Sequence, residues 1–220
     1  MGPGTIRRLL EVHTGIFDIS HIFLSHFHPD HTAELVPFLF ATKYPNENAR
    51  KNPLTLVAGK GLRAFFNGLK TVYGEWIDLD PGILNMIELD NRAYDSHIFE
   101  QFQVESLPVV HREESVAFKI TGPDRRRIVY SGDTDESENL VTLSQGADLL
   151  ICESAFPDDL KVKGHLTPSR AGQIARCAGV GTLVLTHFYP ECDRVDIEKE
   201  CRKTYQGPLI LAKDLQRIEI

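Results

Sequence analysis

His26-Phe27-His28-Pro29-Asp30-His31 places four potential metal ligands within six consecutive positions, between the apolar run Ile22-Phe23-Leu24 and the segment Thr32-Ala33-Glu34-Leu35-Val36-Pro37-Phe38-Leu39. The first run has the character of a buried strand and the second that of a helix start, so the cluster falls in a strand-to-helix turn. Open α/β sheets place their ligands at such turns. Residues two apart in an extended segment point the same way, so His26 and His28 can converge on one cation while Asp30 and His31, around the corner, face a second. Two divalent metal ions are the expectation. Imidazole with carboxylate suits zinc, manganese or iron; zinc is taken first, and the pattern does not separate the three. A polar turn that happens to be rich in histidine would account for one such residue, but not for this density.

The chain has 220 residues, enough to bury a large core without disulfides or a metal staple, so one domain is expected over residues 1–220 and the metals are read as functional. Cys152, Cys177, Cys192 and Cys201 form no CxxC pair and read as reduced thiols. No signal peptide precedes the domain and no apolar run reaches the length of a membrane span, which makes the cytoplasm the expected location. A formal net charge of −7 argues against a surface that coats nucleic acid. Arg125-Arg126-Arg127 and the pair Lys161 and Lys163 are local exceptions, read as solvated turns.

Read in order, Thr5–Val12 has helical spacing with Ile6, Leu9 and Leu10 on one face, and a second helix is expected from Thr32 to about Thr42. Lys43–Pro53 is a loop by composition, and Leu54–Val57 is a strand. Leu62, Phe65, Phe66, Leu69 and Tyr73 form a helical stripe, read as core. Ile77–Leu89 is ambiguous around its Asp80-Pro81-Gly82 turn. Phe102–Val110 alternates up to His111, and Val116–Thr121 with Arg127–Ser131 forms a hairpin across Gly122-Pro123-Asp124. Leu149–Cys152 and Thr182–Thr186 are further buried strands. Thr167-Pro168 has the form of an N-cap with proline at the first helical position, and Gly179 supplies the stop. Asp193–Tyr205 reads as a last helix and Leu209–Ile220 as one or two strands. His26, His111, Asp133, Glu153 and His187 each follow the end of an apolar run, so groups costly to bury unpaired are delivered repeatedly to strand ends.

With the HFHPDH stretch, Val110-His111, Ser131-Gly132-Asp133-Thr134 and Leu185-Thr186-His187 in that order, nearly the whole chain resembles the metallo-β-lactamase superfamily hydrolases, which implies an α/β fold of the αββα sandwich type. Residue by residue, the resemblance implies that His26, His28 and His111 hold one metal, that Asp30, His31 and His187 hold the other, and that Asp133 bridges them. Cys152-Glu153-Ser154-Ala155-Phe156 followed by Gly164-His165-Leu166-Thr167 looks like the ribonuclease Z branch, where an extra Glu and His serve phosphodiester cleavage. For His165 a surface or capping role stays open, and for Glu153 a supporting role behind the ligands. Two departures stand out. The long flexible arm that holds the tRNA elbow has no counterpart between Leu54 and His111, so tRNA is not expected as substrate. The chain also opens inside the glycine turn Met1-Gly2-Pro3-Gly4, where family members carry a preceding pair of strands, so either it is N-terminally truncated by a start placed too far downstream or the fold lacks its first hairpin. Without those strands a homo-oligomer is expected to cover the sheet.

These readings converge on a metal-dependent phosphodiesterase acting on a small phosphodiester or short nucleic acid. A hydroxide bridging the two metals attacks phosphorus, Asp30 helps to orient it, and His165 assists the leaving group, with Glu153 beside it. The alternatives are another ester hydrolase of the same fold, such as a lactonase, thioesterase or arylsulfatase, and an inactive metal-binding or interaction module.

Overall fold

A computed structural model of the chain describes residues 1–44 and 46–220; Pro45, within the loop expected over Lys43–Pro53, lies outside the described residues. The chain forms two compact units, residues 1–89 and 90–220.

In the first unit, α1 (Thr5–Glu11) precedes β1 (His21–Leu24), α2 (Pro29–Thr32), α3 (Leu35–Lys43), β2 (Leu54–Gly59), α4 (Leu62–Tyr73) and β3 (Leu84–Leu89). The strands form a parallel sheet in the order β1-β2-β3, with Ile22 opposite Leu56 and Leu56 opposite Met86. Buried Ile22, Leu24, Leu54, Leu56 and Ala58 pack with Phe38 and Leu39 of α3 and with Leu62 and Phe66 of α4. β2 is buried along nearly its whole length, as a central parallel strand must be when its side chains find cover on both faces. The stripe on α4 is core at Leu62 and Phe66 and runs out to solvent at Tyr73.

Two expectations for this unit are corrected. The helix foreseen from Thr32 to Thr42 is broken into α2 and α3, because the backbone at the junction is engaged elsewhere. The Glu34 N–H donates to the Met1 carbonyl at 3.0 Å, and its carboxylate accepts the Gly4 and Ile6 N–H groups at 2.6 Å each. In α1, Leu10 points to solvent while Ile6 and Leu9 are half-buried, so the apolar face is narrower than its spacing suggested.

The second unit contains β4 (Asp95–Ile98), β5 (Gln103–Pro108), β6 (Val116–Thr121), β7 (Arg127–Tyr130), α5 (Glu138–Leu143), β8 (Leu149–Glu153), α6 (Pro168–Ala178), β9 (Thr182–Thr186), α7 (Ile197–Cys201) and β10 (Leu209–Leu211). Its sheet runs in the order β10-β9-β8-β7-β6-β5-β4. β7 to β10 are mutually parallel, and β5, antiparallel to β6, shares their direction. The C-terminal ends of β5, β7, β8 and β9 therefore reach one rim of this sheet. Val129, Leu150, Cys152, Leu183 and Leu185 bury one face with Leu140 and Leu143 of α5 and Ala171, Ile174, Ala175 and Ala178 of α6.

Here β4 and α5 had no periodic signal. β4 is a four-residue edge strand without a run of buried apolar positions, and α5 is short, begun by Ser137, whose hydroxyl accepts the Leu140 N–H. The last helix is also shorter than foreseen. Asp196 caps it by accepting the Lys199 N–H, and the residues before it, Pro190–Arg194, form a separate 3₁₀ turn. Only Leu209–Leu211 of the C-terminal segment joins the sheet.

Candidate metal centre

In the first unit the ligand types gather immediately after β1. His28 is the N-cap of α2 with extended backbone, Pro29 takes the first helical position, and Asp30 and His31 occupy the same short turn. His26 is fully buried, and its ring centroid lies 4.7 Å from that of His28 and 4.2 Å from that of His31. His31 Nε2 is 3.2 Å from Asp30 Oδ2. The turn is held from outside by the Thr32 hydroxyl, which donates to the His28 carbonyl at 2.9 Å, and from below by Ser25, whose Oγ is 3.1 Å from His26 Nδ1. The N-terminal turn packs on it closely. A Cβ at Gly2 would lie 2.1 Å from the Asp30 carbonyl oxygen, so only glycine fits there.

In the second unit, one rim collects His111, Asp133, Glu153, His165 and His187. Asp133, 2% exposed, follows Gly132, whose positive φ lets the chain turn sharply after β7. His187 directly follows β9 and itself has φ 64°, a conformation that non-glycine residues adopt seldom and mostly where surrounding structure demands it. Around the Asp133 carboxylate stand His187 Nε2 at 3.5 Å, His111 Nε2 at 3.9 Å and His165 Nδ1 at 3.9 Å. These separations lie at or beyond hydrogen-bond range, and they match the span of two donors sharing a cation at about 2 Å from each. His111 Nδ1 is 2.8 Å from the Gly164 carbonyl, which can only accept, so Nδ1 carries the proton and Nε2 the lone pair that a metal needs. A buried carboxylate among imidazoles, with His111 turning Nε2 toward it, is a donor set that fits a divalent cation.

Glu153 differs from Asp133. Its Oε1 accepts the Thr134 N–H at 2.7 Å and lies 3.1 Å from His165 Nδ1; its Oε2 accepts the N–H groups of Ala155 and Leu166 at 3.2 and 3.1 Å. Glu153, His165 and His187 each offer an atom within 4.8 Å of the others, the spacing of a ligand group. Yet with four hydrogen-bond donors already on its two oxygens, Glu153 is suited to orienting the His165 ring rather than to ligation. His165 also lies beside aromatic rings, with centroids 6.1 Å from Phe156 and 6.3 Å from Tyr189, which stack on each other at 4.7 Å. Tyr189 has no signal in the sequence, where it is a lone aromatic two positions after His187.

Two ionisations narrow the chemistry. Burial first, and then the neighbouring Glu153 charge, push the Cys152 thiol far up, so this cysteine beside the rim is a neutral core group and neither nucleophile nor ligand. Asp135 is the opposite case. Burial would raise its pKa, but hydrogen bonds from Lys161, Gly164 and Glu136 together with the Lys161 charge outweigh that and hold it below the usual carboxylate range. Lys161, read from composition as part of a solvated turn, is thus one half of an ion pair.

Residues 5–188 match the family described as the Beta-lactamase superfamily domain. Among similar sequences, ribonuclease Z of Streptomyces avermitilis is 31% identical over 265 aligned positions, which cover 100% of this chain and 86% of that protein. Human tRNase Z, short form, superposes with a TM-score of 0.76 at 26% identity, covering 100% of this chain and 86% of that one. The metallo-β-lactamase fold protein YhfI from Bacillus subtilis superposes with a TM-score of 0.80 at 24% identity over 97% of this chain and 83% of that one. With the fold of its neighbours and His and Asp groupings at its strand ends, the chain belongs to the β-lactamase superfamily of metal-dependent hydrolases, and within it is similar to ribonuclease Z.

Proposed function

We propose that the two units act as one metallo-hydrolase domain that cleaves small phosphodiesters or short nucleic acids. In this reading His26, His28 and His111 hold one divalent cation, Asp30, His31 and His187 hold the other, and Asp133 serves both; zinc is the expected metal. When bound, the cations supply a water acidic enough to act as nucleophile near neutral pH and draw charge from the phosphoryl oxygens.

The chain's own part is proton transfer and orientation. With Nδ1–H of His165 donating to Glu153 Oε1, the carboxylate fixes the ring and stabilises its protonated form, and Nε2–H is the proton given to the leaving-group oxygen. Asp30 is proposed to orient the attacking water as well as to ligate. The Glu153–His165 pair carries this reading, because it lies in the segment that resembles ribonuclease Z and adds a proton donor for an alkoxide leaving group, which the thiolate of a thioester does not need. The ribonuclease Z relative supports a phosphodiester as substrate. That alignment takes 265 positions to cover the 220 residues here, so the relative carries residues without counterpart in this chain, which supports a substrate smaller than tRNA.

The test is an assay of the metal-loaded chain against bis(nitrophenyl) phosphate and short oligonucleotides beside a panel of lactones, thioesters and aryl sulfates, with metal content measured. Turnover confined to the phosphodiesters supports the proposal. Turnover confined to another ester class, or none with both metals present, removes it. Association into a homo-oligomer is part of the proposal, read by light scattering over a range of concentrations.

A further inference from the structure

The loop that carries His165 is laced to the strand ends by a closed circuit of hydrogen bonds. The Asp135 N–H donates to the Val110 carbonyl at 2.7 Å, the residue before His111. His111 Nδ1 donates to the Gly164 carbonyl at 2.8 Å, and the Gly164 N–H donates back to Asp135 Oδ2 at 2.8 Å. Gly164 has φ 90°, and a Cβ at that position would stand 3.2 Å from His111 Nδ1, so the backbone closes on the imidazole only because the residue is glycine. Lys161 Nζ completes the arrangement from the rim, 2.8 Å from Asp135 Oδ1 and 2.9 Å from Oδ2. The loop is thereby tied to one carboxylate twice, through its backbone at Gly164 and through a partly exposed ammonium three residues earlier. Residue 165 follows the inner tie directly.

We infer that Asp135 is a positioning residue. Its carboxylate sets the 157–165 loop, which through the Gly164 carbonyl holds His111 in the Nδ1–H tautomer and through the next residue places His165, while Lys161 is the outer tether. Neither Asp135 nor Lys161 touches the reacting groups. Removing the carboxylate frees the Gly164 N–H to turn away, the carbonyl on the other side of that residue turns with it, and the His111 ring loses the acceptor that decides its tautomer. The consequence for turnover rests on the roles proposed above for His111 and His165; the consequence for the His111 ring does not.

The experiment uses the full chain, metal-free, with ¹⁵N-labelled histidine, at about pH 8 where an ordinary imidazole is neutral. His111 should show the Nδ1–H form alone, and the Gly164 amide should exchange slowly with solvent. Asp135→Ala should convert His111 to a mixture of tautomers. Asp135→Asn, whose amide oxygen still accepts the Gly164 N–H, should keep the single form. Lys161→Met should keep it too while speeding exchange of the 158–163 amides. After metal is restored, Asp135→Ala should bind it roughly 10- to 100-fold more weakly and lose a similar factor in kcat with KM little changed, the usual size of an effect through a ligand's hydrogen-bond partner. A folded Asp135→Ala chain that retains the single tautomer overturns the inference. So does a Gly164 amide in the unsubstituted chain that exchanges at the unprotected rate, a measurement that needs no variant to fold. Lost tautomer with unchanged turnover of phosphodiesters would uphold the positioning role of Asp135 and remove the functional reading instead.

Discussion

His165 and Glu153 show how two residues of the same rim take different work from their surroundings. Each oxygen of Glu153 receives donors from backbone that is fixed by β8 and by the turns after β7 and before α6, so the carboxylate is immobile. His165 is tied at one nitrogen and keeps a partly exposed side chain. His165→Ala should therefore retain full metal content but lose turnover by roughly a hundredfold or more, the range for a positioned acid or oxyanion donor. The loss should shrink for a nitrophenolate leaving group, which needs little protonation, and equal losses on good and poor leaving groups would assign His165 to phosphate binding instead. Glu153→Ala strands the N–H groups of Thr134, Ala155 and Leu166, and at about 1–3 kcal/mol for each buried unsatisfied donor it should cost roughly 3 kcal/mol or more by urea denaturation. A loss under about 1 kcal/mol would mean that these donors find other partners.

At the scale of elements, the 3₁₀ turn Asp158–Leu160 is fastened between helices. Asp158 accepts the Ser169 N–H and hydroxyl at the start of α6 and pairs with Lys203 beyond α7, while its own N–H donates to Glu200. Burial acts to raise the Asp158 pKa, but Lys203, Ser169 and Thr167 outweigh it, so the folded value lies below the unfolded one. The sign follows: this stabilisation is complete above the ordinary carboxylate range and drains away as pH falls through the depressed folded value. Asp158→Asn should thus be less stable than the parent chain near neutral pH and nearly equal to it in strong acid, compared by denaturant midpoints across pH. A difference that persists undiminished in acid would show that its charge is irrelevant. The packing of α6 on α7 is tight as well. A Cβ at Gly172 would stand 2.5 Å from Thr204 Oγ1 and 3.0 Å from the Cys201 carbonyl, so Gly172→Ala should destabilise by about 1–3 kcal/mol despite the better helix propensity of alanine. Unchanged or raised stability would mean that α7 yields.

For the whole molecule, the metals are proposed to serve chemistry and not folding, because each unit has its own buried apolar cluster. Chelation should abolish turnover yet leave a cooperatively unfolding chain, and zinc restored at roughly a hundred times its Kd should add about 2.7 kcal/mol for each site filled. Loss of far-UV circular dichroism on chelation would make the metals structural. Asp133→Ala should remove two metal ions per chain; removal of one would end its proposed shared role.

Much of this architecture was readable in order along the chain. Strand ends are local events, written as apolar runs that stop at His26, His111, Asp133, Glu153 and His187, and the start and stop of α6 are written in Thr167-Pro168 and Gly179. The family likewise follows from ligand types in a fixed order, because a cation demands those donors whatever the rest of the chain does. Other features have no local signature. The break between α2 and α3 depends on Glu34 meeting backbone about thirty residues earlier, and the weak edge strand β4 exists only because β5 is there to pair with it. The four donors on Glu153 and the circuit through Asp135, Val110, His111 and Gly164 join residues that become neighbours only when β5, β7 and β8 take their places in one sheet. Periodicity reports which face of an element is buried. Which strand end stands beside which is set by strand order and register, and these arise from contacts between segments far apart in the chain.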